Sequence, residues 1–203
     1  MAVTSYVQAQ SMTLTKHMMF PIPFYEFDLS NCVEEALELI PKESNDINPD
    51  YPGITQTNNQ VLHTLDHWSF LKDKLEDCLL TIQKEEVYEP SFGHLKLSRL
   101  WANMALKGSG GDQRQHRHPM AYLSGIFYLT EGADTRFIDP CYARSLSLIE
   151  IPNKYMYDSF TITPKPGNVV IFPSYVQHLT LPHTGDNDRI TMAFNALPER
   201  MQP

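Results

Sequence analysis

The strongest constraint on this chain lies in its second half. From Tyr88 to Ala196, short runs rich in Val, Ile, Phe, Tyr and Thr are broken by clusters of Gly, Pro, Asn and Asp. Runs of that length with those breaks read as strands joined by turns. They fall at about 95–106, 121–130, 135–138, 146–151, 158–162, 168–172, 176–181 and 188–196. Eight short strands at such spacing predict an antiparallel sandwich or barrel. A sheet of this kind needs cover on its outer face, and the chain provides it upstream. Between Asn59 and Glu86 the apolar residues Val61, Leu62, Leu65, Trp68, Phe70, Leu71, Leu75, Leu79 and Ile82 recur at mostly three- and four-residue steps. That periodicity predicts one amphipathic helix lying on the β core. The fold class is therefore mainly β with supporting α-helices.

The first 18 residues are polar and unpatterned and read as a flexible tail. Pro21 to Leu29 suggests an edge strand, where proline is tolerated. Asn31 and Glu34 have the spacing of a capping box for a helix over Val33–Leu39 that ends before Pro41. Residues 42–58, rich in Asn, Asp, Ser, Pro and Gly, read as a loop. No linker is long enough to divide the chain, so residues 19–203 form one domain: a strand and helices over 19–90 and a β core over 91–197.

With 203 residues, 24 acidic against 16 basic side chains and a net charge of −8, the chain lacks the cationic surplus that phosphate backbones or anionic lipid demand. Nucleic acid and membrane are not expected partners. Cys32, Cys78 and Cys141 are odd in number and far apart, which fits neither a disulfide framework nor a metal knuckle, and a reducing cytoplasm is the expected home. No stretch approaches the roughly 20 apolar residues of a membrane span.

Two of the eight histidines stand in His116-Arg117-His118-Pro119. In an extended segment residues i and i+2 project to one face, so both imidazoles can meet one ion; an exposed polar loop is the plainer reading of the same spacing. A third ligand must come from another strand. His178 follows the strand-and-turn segment Pro166–Ser174, and His183, in a polar turn after Pro182, competes with it. Three ligands with open positions suit a catalytic iron or zinc.

The last strand places Arg189, Thr191, Ala193 and Asn195 on one face and Ile190, Met192 and Phe194 on the other. An arginine on a small, polar, inward face can hold a dicarboxylate by its planar fork; pairing with Asp186 or Asp188 in solvent is the simpler alternative.

The ordered set Trp101-x-Asn103, His116-x-His118-Pro119, Ser124–Leu129, Phe137–Pro140, Pro166–His178 and Arg189–Asn195 resembles the Fe(II)- and 2-oxoglutarate-dependent oxygenases over about residues 95–197. More narrowly it is similar to a branch related to prolyl hydroxylases and common in marine bacteria and phages. The resemblance implies a double-stranded β-helix, a cupin-like jelly roll. It implies His116, His118 and His178 as ligands of Fe(II). It implies Arg189 as anchor of 2-oxoglutarate, assisted by Thr191 and Tyr128, with Asn103 near the inner carboxylate. It implies O2 as co-substrate and hydroxylation of a substrate C–H bond, in a peptide, where a prolyl residue is the familiar target, or in a small molecule. Most relatives have a carboxylate at the second ligand position, where this chain has His118; Asp112 and Asp139 are carboxylates in the sequence vicinity without the i+2 spacing. The alternatives are a three-histidine cupin dioxygenase without 2-oxoglutarate and a non-catalytic jelly-roll binding protein. His63 and His67, one helical turn apart, are expected to pack rather than to bind metal.

Overall fold

The computed structural model describes residues 21–86, 90–141 and 158–202, and these form two antiparallel sheets with helices on one outer face. The strands are β1 (Tyr25–Asp28), β2 (Asn45–Ile47), β3 (Ile54–Thr57), β4 (Leu95–Ala105), β5 (Gln113–His116), β6 (Leu123–Tyr128), β7 (Thr135–Ile138), β8 (Ser159–Ile162), β9 (Asn168–Pro173), β10 (His178–Thr180) and β11 (Arg189–Pro198). The larger sheet has the order β1-β9-β6-β11-β4-β3-β2 and the smaller β5-β10-β7-β8. The helices are α1 (Val33–Leu39) and α2 (Ser69–Glu85).

The three central strands β9, β6 and β11 are buried on both faces, and their alternation sorts two different environments. Val169, Ile171, Leu123, Phe127, Met192 and Phe194 join the core beneath the helices. Val170, Phe172, Ile126 and Tyr128 point the other way, into the space between the sheets, where Phe172 meets Phe137 of β7 edge-on with ring centres 4.8 Å apart. From α2, Leu71, Leu75, Cys78, Leu79 and Ile82 close the first core. Each large aliphatic side chain buried there contributes about 1.5–3 kcal/mol of transfer free energy.

Several elements depart from the pattern read in the sequence. The segment 42–58 is not all loop: it carries β2 and β3, which extend the large sheet past β4. Its polar residues hid them, since β2 is fully exposed and makes an edge hairpin without an apolar face. The amphipathic run from Asn59 is not one helix either. Val61 bridges to Leu100, single 3₁₀ turns cover Leu62–Thr64 and Asp66–Trp68, and Leu65 between them is extended, so that the α-helix begins only at Ser69. What holds this entry is Trp68, fully buried, whose indole N–H donates to Glu43 Oε1 at 2.8 Å. The same oxygen lies 2.7 Å from His67 Nε2. The capping box at Asn31 does not form: α1 has no side-chain cap, and Asp28 Oδ1 instead accepts the Ser30 N–H at 2.8 Å. The expected tail 1–18 and the strand at 146–151 lie outside the described residues.

Two local devices set the register. In β4, Asn195 pairs with Arg99 but the next residue, Ala196, pairs with Leu97, which leaves Ser98 as an extra residue whose hydroxyl donates to Asn195 O at 3.3 Å. In β6, Gly125 is paired with Phe194, and a Cβ at Gly125 would overlap the Phe194 ring. Overpacking of that size costs about 1–3 kcal/mol. Gly125→Ala is therefore expected to lower the denaturant midpoint, and adding Phe194→Leu should recover part of the loss. A double variant whose stability is the simple sum of the two single changes would refute the contact.

Candidate metal centre and anion pocket

The four residues of β5 pair with β10 so that His116 and His178 stand directly opposite each other. His118 follows two residues later, its backbone N–H donating to Ser174 O at 3.2 Å, a bond that carries the chain beyond β5 back towards the end of β9. The three imidazoles converge: one ligand-capable nitrogen from each lies within 4.8 Å of the others. Ring centres are 4.3 Å apart for His116 and His178 and 5.2 Å for each pair involving His118. Trp101 packs against His118 at 5.7 Å, and Tyr51, from the loop between β2 and β3, against His116 at the same separation.

Two of the rings are oriented by the same device. His116 Nδ1 lies 2.7 Å from Arg114 O and His178 Nδ1 lies 3.3 Å from Val176 O, each the carbonyl two residues back. An Nδ1–H donated to a carbonyl leaves Nε2 as the free lone pair, the tautomer a metal ligand requires. Burial also holds all three rings neutral. It lowers the His116 pKa, pushes that of His118 down to about 4 with help from His116 and Arg99, and lowers that of His178 well below the usual range. Among the described residues no carboxylate joins the cluster. Asp112 stands outside it, and Asp139 lies in the turn after β7, where its carboxylate accepts the Cys141 N–H.

Along β11 from this cluster lies a buried cation. Arg189 is 2% exposed, donates from Nε to Ala133 O at 2.9 Å and from Nη2 to Thr135 Oγ1 at 3.2 Å, and forms no ion pair among the described residues. Pairing with Asp186 or Asp188 does not occur: Lys107 meets Asp186, and the Asp188 carboxylate accepts the Lys107 N–H. Thr191, the next residue on that face, pairs across with Asn103 on one side and Tyr128 on the other. Tyr128 is therefore on the strand beside Thr191 in the same sheet. Its hydroxyl and the Asn103 Oδ1 are buried without a well-formed partner, although Thr135 stands beside the former. Burial pushes the Tyr128 pKa up to about 12, so the hydroxyl is a donor at every physiological pH. Arg189, Thr191, Asn103 and the three histidines line one cavity.

His183 is not part of it. The polar turn expected there is wrong in one respect: His183 is fully buried, with Nε2 2.6 Å from Asn187 O, and serves the packing of the loop before β11. His63 and His67 likewise stay apart from the cluster. The histidines, Arg189, Thr191, Tyr128 and Asn103 were all legible as candidates. Tyr51, Gln113, Thr135 and Thr180 were not, because single polar residues in short strands and loops have no sequence pattern of their own.

These residues suit a divalent metal with an anionic partner: borderline nitrogen donors and, among the described residues, a buried cation without an ion pair and unpartnered polar atoms between them. Residues 99–195 match the family model described as "Putative 2OG-Fe(II) oxygenase". No curated protein matches the chain significantly. Among solved structures, HygX from Streptomyces hygroscopicus, with nickel and 2-oxoglutarate bound, aligns with a TM-score of 0.64 at 13% identity over 88% of this chain and 84% of its own. A prolyl-4-hydroxylase from Pseudomonas putida aligns at 0.56 and 16% identity over 86% and 92%. A prolyl hydroxylase from Trichoplax adhaerens, in complex with a hypoxia inducible factor oxygen degradation domain peptide fragment, aligns at 0.57 and 13% over 88% and 85%. At such identities the likeness is one of fold, the two-sheet jelly roll, and the chemistry rests on the family match. That match spans every residue of the cavity discussed above, and over this segment the chain is similar to the 2-oxoglutarate- and Fe(II)-dependent oxygenases, oxidoreductases that use Fe(II), 2-oxoglutarate and O2.

Proposed function

We propose that His116, His118 and His178 hold the iron and that Arg189 anchors the far carboxylate of 2-oxoglutarate, in an enzyme that hydroxylates an aliphatic C–H bond. The observation that carries this reading is Arg189 itself, a buried guanidinium that forms no ion pair among the described residues, in the cavity of three neutral imidazoles. Two of its five N–H donors are used by the protein, which fixes the plane of the fork and leaves three for a ligand. A buried charge of this kind is costly until an anion meets it.

When bound, the metal with 2-oxoglutarate and O2 supplies the oxidation of an unactivated C–H bond, with release of succinate and CO2. The protein's own residues do the rest. The carbonyls of Arg114 and Val176 hold the His116 and His178 rings in the binding tautomer. Thr191 and Tyr128 offer hydroxyls beside Arg189, and Asn103 offers its amide closer to the histidines. Ile126, Trp101 and Ala193 give the cavity apolar walls, which limit water around the oxidant. Three neutral imidazoles would cancel none of the metal's charge, so negative charge beside the metal would have to come from a bound ligand and not from these side chains. A prolyl residue in a peptide is the first substrate to assay, on the likeness to the two prolyl hydroxylases.

Three tests follow from this assignment. His178→Ala and His118→Ala are expected to abolish Fe(II) binding in anaerobic equilibrium dialysis, whereas His118→Asp should keep it and His183→Ala should keep it despite a loss of stability. Equal metal loss in His178→Ala and His183→Ala would overturn the ligand assignment.

Arg189→Ala should leave iron bound and weaken 2-oxoglutarate binding by about 2–5 kcal/mol, the loss typical of truncating one partner of a buried charge pair. Arg189→Lys should fall between, since it keeps charge but not the fork. Tyr128→Phe should cost at most about 1.5–3 kcal/mol. Isothermal titration of the iron-loaded protein reads all three, and unchanged affinity in Arg189→Ala would end the proposal.

The third test concerns pH. In the folded, metal-free protein His118 takes up a proton only near pH 4, whereas an unfolded histidine does so near about 6.5. Between those values the unfolded state binds more protons, so stability rises with pH across the window and is lost as pH falls through it. His116 and His178 act in the same direction. Denaturant midpoints of metal-free protein should therefore drop from pH 6.5 to 4, and His118→Asn should flatten the profile; an equally steep profile in the variant would contradict the neutral-ring assignment.

A further inference from the structure

We infer that Arg99, exposed on the strand beyond the Trp101 end of the cavity and away from Arg189, binds an acidic group of the primary substrate. The inference rests on the co-substrate assignment above and extends it to the second ligand of the reaction. On β4 the residues Arg99, Trp101 and Asn103 share one face, because each pairs with a member of the site-facing row of β11: Asn195, Ala193 and Thr191. The next pair in the same direction is Ala105 with Arg189. Arg99 therefore stands six residues from the Arg189 row, about 20 Å along the strand, with the histidine cluster between them, since His118 packs on Trp101. A five-carbon dicarboxylate held by Arg189 is far too short to serve both.

Two observations argue for a ligand at Arg99. Its only hydrogen bond among the described residues goes to a neutral acceptor, Gln60 Oε1 at 2.9 Å, and it has no ion pair there. This leaves most of the fork unused in a chain with an excess of acids. The chain around it also presents apolar surface to solvent at that end. Met120, two residues after His118, has a φ of 63° and is 90% exposed, a left-handed conformation that a non-glycine residue holds at a cost and that gathers at functional sites. Tyr122, whose N–H donates to Ala196 O just past the Asn195 row, and Tyr175, next to the Ser174 that holds His118, are exposed as well. A carboxylate on an apolar body fits this combination, whether the body is a small organic acid or a peptide bearing an acidic side chain.

The test uses isotopically labelled, nickel-loaded protein saturated with 2-oxoglutarate and follows amide shifts by NMR. The probes are 3-phenylpropionate against 3-phenylpropanamide, and a capped Glu-Phe dipeptide against its Gln-Phe analogue. Preference for the acid in either pair, of about tenfold, with shifts at Arg99, Met120 and Tyr175, is the expected result, and the pair that shows it identifies the carrier. In Arg99→Gln the preference should vanish while the neutral probes bind as before, and Arg99→Lys should retain part of it. No acid preference in either pair, or an undiminished preference in Arg99→Gln, overturns the inference. Shifts at Arg189 and Thr191 on adding 2-oxoglutarate report the co-substrate separately. Their absence beside an intact acid preference at Arg99 refutes the co-substrate assignment and not this one.

Discussion

The rest of the structure depends on a sheet whose central strands have no solvent face. Because β6, β9 and β11 are covered on both sides, every residue in them faces either the helical core or the space between the sheets, and the two rows follow opposite rules. The helical row is filled by Phe127, Met192, Phe194 and Ile171, closely enough that only glycine fits at position 125. The other row includes Arg189, Thr191, Tyr128, Asn195 and Ser124, polar groups that a water-poor space tolerates only when hydrogen-bonded or when a ligand completes them. Ser124 and Asn195 complete each other at 2.8 Å; Arg189 and Tyr128 do not. That difference separates the structural part of the row from the part we propose to bind the co-substrate.

Charge in the cavity follows from the same burial. Removing water makes protonation of the three imidazoles unfavourable and makes Arg189, which stays charged, an unsatisfied cation. The two effects point to different ligands in one space: lone pairs for a metal and a guanidinium for an anion. A site that uses both positions therefore binds a chelating anion more readily than the parts taken separately, since each ligand relieves the electrostatic cost imposed on the other.

The sequence was informative wherever a period was long enough to be read. The alternation in Arg189–Asn195 placed Arg189 and Thr191 inward and Met192 and Phe194 under the helices, and the i+2 spacing of His116 and His118 brought both to His178. It misled where local polar chemistry overrode period. β2 and β3 are strands because β4 offers them an edge, not because Asn45-Asp46-Ile47 favours extension. The helix expected from Asn59 breaks at Leu65, because seating Trp68 on Glu43 requires a turn that apolar spacing alone does not encode. Contacts made by residues distant in sequence, such as Thr135 with Arg189 or Tyr51 with His116, leave no periodic trace.

The extra residue in β4 has an evolutionary consequence. Upstream of Ser98, Leu95 and Leu97 face the helices from odd positions; downstream, Leu100 and Ala102 do so from even ones, while Trp101 and Asn103 face the cavity and Arg99 continues their row into solvent. Loss of Ser98 would restore plain alternation without moving either set. A one-residue deletion between Arg99 and Ala105 would instead turn part of the cavity row into the apolar layer. Insertions and deletions in descendants of this chain should thus be permitted at position 98 and purged beyond it.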